Sequence, residues 1–99
     1  MTTETEDLHR NTVAKRIRTA LKHRSGKAWS VTCGRGTAWG WITIHSRTDE
    51  ECEELGRLLG LERPTYGHES IPAGHDYYRE YIDRAEGRAP TVEGKQYWD

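Results

Sequence analysis

Phenylalanine does not occur in these 99 residues, and methionine occurs only once. Because only 33% of the chain is hydrophobic, its core must be small, and four Trp and five Tyr have to fill much of it. No apolar run approaches the roughly 18 residues a membrane helix needs, which excludes a spanning segment and sets the expectation of no membrane partner. The opening MTTETEDLHR is acidic and polar, unlike a secretory signal. Two cysteines, Cys33 and Cys52, are too few for a disulfide framework and have neither metal-ligand nor redox spacing. The length leaves no room for a second core. A single cytoplasmic domain with reduced thiols is therefore the expectation.

A local absence says more. Between Leu8 and Arg35 there is no Asp or Glu, yet eight basic residues fall there: Arg10, Lys15, Arg16, Arg18, Lys22, Arg24, Lys27 and Arg35. The acidic residues lie outside that stretch, and the net charge is -1. The chain is polarised, with a basic front and an acidic back. Residues 1–7 read as a flexible acidic leader, 8–87 as one domain, and 88–99 as a tail docking through Tyr97 and Trp98.

Periodicity predicts the elements. Val13, Ile17 and Leu21 recur every four residues, so a first helix is expected over Asn11 to His23, capped by Asn11 and ended by Ser25-Gly26. Ala28 to Cys33 alternates as a strand, and Gly34-Arg35-Gly36 suits a hairpin turn into a return strand over Trp39 to His45. Thr48 and Glu51 form a capping box that opens a second helix, closed by Gly60, with Cys52, Leu55, Leu58 and Leu59 as its buried stripe. A loop follows from Glu62 to Gly74, with a short extended piece near Ser70-Ile71. A third helix is expected over His75 to Glu86, burying Tyr78, Ile82 and Ala85. The order helix, strand, strand, helix, helix predicts an α+β domain: an N-terminal helix, an antiparallel β-hairpin, and two further helices packed on a small sheet.

Two features carry candidate function. Lys15, Arg18 and Lys22 fall within about 60° of one another on the first helix, with Arg16 and Arg24 flanking and no acidic residue three or four positions away. A polyanion would relieve their repulsion, and an internal acidic helix would do the same. Lys15, Arg18, Lys22, Arg24, Lys27 and Arg35 are the expected nucleic-acid contacts. In the return strand, if Ile42 and Ile44 face the core, then Trp39, Trp41, Thr43 and His45 face away. Should that face stay open, Trp39 and Trp41 would stack bases or anchor a partner. The simpler expectation is that a helix or the tail covers it, because Trp is costly to leave in water.

Other chemistry is weaker. His68, His75 and Asp76 match no strong metal template, and no metal or other cofactor is expected. Cys33 and His45 could form a thiol–base pair only if they shared a sheet face, which alternation denies. Gly34 to Thr37 is glycine-rich but lacks the lysine and helix of a phosphate loop.

The run IRTALKHRSGKAWSV, from Ile17 to Val31, resembles a pattern found in the large-polyvalent-protein-associated domains of phages and conjugative elements. There a helix with a basic end leads straight into a strand. Ile17, Arg18, Leu21, Lys22, Lys27, Trp29, Ser30 and Val31 are the matching positions. Gly34 to Gly40 departs from the pattern, and HDYYREYIDRAEGR has no counterpart in it. The resemblance implies a small α+β accessory protein of mobile-element or phage-like origin, and it carries no catalytic residue over. The expectation is a non-enzymatic binding module for nucleic acid or for a protein that handles it. The alternative is a protein-interaction module, a phage-type inhibitor or a homodimer, using the Trp face and the acidic second helix as a nucleic-acid mimic.

Overall fold

The first helix, α1 (Arg10–Ser25), buries Val13, Ala14, Ile17 and Leu21, as the four-residue period requires. It starts one residue earlier than expected, and the N-cap is His9 rather than Asn11: the His9 ring accepts from the Asn11 amide. Gly26, at φ 80°, closes the helix by donating its N–H to the Lys22 carbonyl. These facts come from a computed structural model that describes residues 9–88. The expected leader and the Tyr97 and Trp98 contacts lie outside the described residues.

Next come strands β1 (Val31–Cys33) and β2 (Ile42–His45), antiparallel, with Val31 opposite Ile44 and Cys33 opposite Ile42. The return strand is shorter than expected. A 3-10 turn at Gly36–Ala38 intervenes, in which Trp39 N–H donates to Gly36 and Trp41 N–H to Ala38. Those amides are spent inside the turn, so the ladder begins only at Ile42.

Helix α2 (Asp49–Leu58) opens as its capping pattern predicts, with Thr48 Oγ1 accepting from the Glu51 amide. The Glu51 carboxylate reaches back one residue further than a standard box, to the Arg47 amide at 2.8 Å. That bond is the chief reason its carboxyl sits below the ordinary range. The extended piece near Ser70-Ile71 is a full strand, β3 (His68–Ile71), followed by α3 (His75–Ala85). β3 pairs antiparallel with β2, setting Thr43 opposite Ser70 and His45 opposite His68.

The sheet order is therefore β1-β2-β3, an α+β domain with one strand more than the expected element order. Val31, Ile42, Ile44 and Ile71 are buried on one sheet face, together with Trp29, Leu55, Leu59, Tyr78, Tyr81, Ile82 and Ala85. All three helices lie on that side. No helix among the described residues is long and apolar enough to cross a membrane.

Candidate functional site

The turn that joins β1 to β2 is built for close approach. A side chain at Gly34 would collide with the Ala38 carbonyl, and one at Gly40 would collide with Ala73. The Tyr78 hydroxyl donates to the Gly40 carbonyl, pinning the turn to α3. Burial pushes the Tyr78 hydroxyl above the ordinary tyrosine range. From α1, Arg10 Nη1 donates to the carbonyls of Gly34 and Trp39, both at 2.8 Å, and its guanidinium lies 4.0 Å from the Trp39 ring centroid. His9 meets the same indole edge-on.

Both tryptophans are outside the core, with Trp39 51% and Trp41 41% exposed. This corrects the expectation that a helix covers them; the tail, their other expected cover, lies outside the described residues. The physical cause is that the helices all pack on the face opposite Trp41, while Trp39 leaves the strand altogether. Trp39 has helical backbone angles at the end of the 3-10 turn. The two rings are thus not held on one face by strand alternation. Trp41 precedes Ile42 and belongs by alternation to the sheet's second side.

That second side is polar at its centre, built of hydroxyls and imidazoles. Thr32, Thr43 and Ser70 form one cross-strand row, and His45 and His68 form the next. Thr32 and His68 are exposed, and Thr43, His45 and Ser70 are half-buried. Thr32 Oγ1 and His45 Nε2 are 2.9 Å apart. The only carboxylate in the three strands, Glu69, points the other way and is buried, accepting from Tyr81 at 2.6 Å and Arg63 at 3.1 Å. Alternation exposed Thr32, Thr43 and His45 to view in the sequence. It missed His68 and Ser70, because the register of β3 is not written locally, and it missed Arg10.

The structure divides the six basic candidates. Arg24 Nη1 donates to the carbonyls of Leu58, Arg84 and Ala85. Lys27 pairs with Glu54 at 2.8 Å and Glu51 at 3.4 Å, lies over the Trp29 ring, and has its pKa raised chiefly by the Glu54 hydrogen bond. Arg18 donates to the outward carbonyl of Val31 on the edge strand. Lys15, Lys22 and Arg35 are exposed, and among the described residues none of them has an ion-pair partner. The Arg18 bond places the Lys15, Arg18 and Lys22 stripe along the β1 edge, while Arg16, on the other flank of α1, pairs with Glu86 at 3.1 Å.

The remaining groups stay apart. The Cys33 thiol faces Asn11 at 3.7 Å, whereas His45 is on the opposite side of the sheet. His75 and Asp76 open α3, away from the His68 row, and no three His, Cys, Asp or Glu among the described residues gather to hold a metal ion. A groove of about 460 Å³ runs between the start of α2 and the Pro64–Gly67 loop. At its floor Ser46 and Thr65 share a 2.6 Å hydrogen bond, and the Ser46 hydroxyl is the main influence lowering the Cys52 thiol. Protein-family models, curated proteins and solved structures show no match to this chain.

Proposed function

We propose that this chain is a small non-enzymatic binding module whose partner is nucleic acid, held at the open sheet side and the basic edge beside it. The observation that carries the reading is the exposure of Trp41 next to a face that is free of carboxylates among the described residues, bordered by Lys15, Lys22 and Arg35, which have no acidic partner among those residues. An indole at the surface gains by stacking on a base, and cations without acidic partners among the described residues favour a polyanion through counterion release. Arg24 and Lys27 play no part in this reading, since their charges are already met inside the fold. The resemblance of Ile17–Val31 adds a proposed origin, an accessory protein of a mobile element or phage.

The test is salt. Binding weakens steeply between about 50 and 200 mM salt, and the combined Lys15→Ala and Lys22→Ala variant lowers the slope of log affinity against log salt by about 1–2. Absence of binding to DNA and RNA of either strandedness at low salt overturns the proposal. A protein partner is the second reading, favoured by the exposed carboxylates Asp49, Glu50 and Glu53 along α2. It predicts that charge reversal on α2, and not on α1, abolishes association.

A further inference from the structure

Resting on that nucleic-acid reading, we infer that the open face takes a single strand in preference to a duplex. Its bases meet Trp41 and the hydroxyl and imidazole rows, and its phosphates follow the Lys15 and Lys22 edge toward Arg35. Three observations carry this.

First, the groups at the centre of the face are hydroxyls and imidazoles that hydrogen-bond, with no Lys, Arg or carboxylate among them: Thr32, Thr43, Ser70, His45 and His68. They suit base edges and sugars, and the charges are at the rim. A duplex turns its phosphates outward and hides its base faces within the stack. It would bring phosphates to a centre that has no Lys or Arg and leave the indole nothing to stack on. In a single strand the base faces are available, and every base has one, so stacking on Trp requires no particular sequence.

Second, the basic helix is badly placed for a major groove. The groove is about 12 Å wide and a helix with its side chains measures about 10–12 Å, so a reading helix needs both flanks clear. Here α1 is flanked by β1 through Arg18 and Val31 and by α3 through Arg16 and Glu86.

Third, the dimensions fit a short stretch of chain. Three strands span about 10 Å, and Trp41 to His45 about 14 Å, the scale on which sheet platforms stack two or three bases. Trp39 lies beyond this platform, one side of its ring covered by Arg10, so Trp41 is the platform's stacking residue and Trp39 its outer rim.

The test is fluorescence anisotropy at low salt with labelled oligothymidine, oligouridine and a mixed-sequence duplex of equal length. Single strands bind more tightly than the duplex. Trp41→Ala weakens single-strand binding by about 5- to 100-fold and leaves duplex binding unchanged, whereas Trp41→Tyr keeps most of the affinity. Trp41 is outside the core, so these variants are expected to fold, and circular dichroism checks it. Equal binding of duplex and single strand, with Trp41→Ala neutral and the lysine variants weakened, overturns this inference and leaves the nucleic-acid reading standing. No binding to any probe overturns both. A dimer seen by sedimentation and dissolved by Trp41→Ala, with no oligonucleotide bound, assigns the face to a second copy of the chain.

Discussion

Glu69 is a carboxylate on the core side of a sheet, and a buried charge survives there only when its lone pairs are met. Arg63 and the Tyr81 hydroxyl meet them, and the consequence falls on Tyr81. Burial first, and the hydrogen bond to Glu69 second, push that hydroxyl far above the usual tyrosine range. A proton bound more tightly in the folded state adds stability that is complete below the unfolded value, about pH 10, and lost as pH rises beyond it. Tyr81→Phe should cost about 1–3 kcal/mol at neutral pH, because Glu69 loses a buried partner. It should also flatten the fall in stability above about pH 10. Urea unfolding across a pH series measures both. A variant as stable as the parent at pH 7 would show that Arg63 alone satisfies the carboxylate.

At the scale of elements, the arginine of α1 that its sequence presents as a surface charge belongs to other helices. The last carbonyls of a helix lack partners in the helix itself and form its negative end. Arg24 donates to Leu58 near the end of α2 and to Arg84 and Ala85 at the end of α3. Arg84 in turn donates to Leu59 and Gly60 just past α2. Two guanidinium groups therefore hold helix termini together that would otherwise repel. Arg24→Ala is expected to destabilise by about 2–3 kcal/mol, as charged hydrogen bonds are lost, without changing the salt slope of nucleic-acid binding. Arg24→Lys should restore only part of it, since a point charge cannot copy the fork. Chemical denaturation and the binding titration, run on the same proteins, separate the two effects.

On the scale of the whole molecule, the described residues form two layers, with their three helices on one side of a three-stranded sheet. β2 is the central strand, paired on both edges, and its Ile42 and Ile44 are fully buried. β1 has its outer edge partly closed by Arg18 bonding to Val31. Hydrogen exchange should therefore be slowest in β2 and in the Val13–Leu21 part of α1, and faster in the turn from Arg35 to Trp41. Slowest exchange in β3 would contradict this order, because among the described residues β3 pairs with a strand on one side only. The same two-layer arrangement leaves the second sheet side without a helix among the described residues, and the proposed binding face depends on that.

Much of the architecture was written locally. Helix hydrogen bonds join residues four apart, and caps act within the same turn, so Val13, Ile17 and Leu21, or Thr48 with Glu51, declare their helices by themselves. Strand alternation likewise sets Ile42 and Ile44 opposite Thr43 and His45, but it also sets Trp39 on that second face, and the 3-10 turn takes Trp39 out of the strand. The tertiary structure decided the rest, because the deciding partners are far apart in the chain. Arg24 meets carbonyls 34 to 61 positions away, and Arg10 reaches the turn 24 and 29 positions on. β3 becomes a strand by pairing with β2. Whether Trp41 lay inside or outside hung on which side of the sheet the helices chose, and no short-range pattern encodes that choice; Trp39 was decided by the 3-10 turn that removes it from the strand.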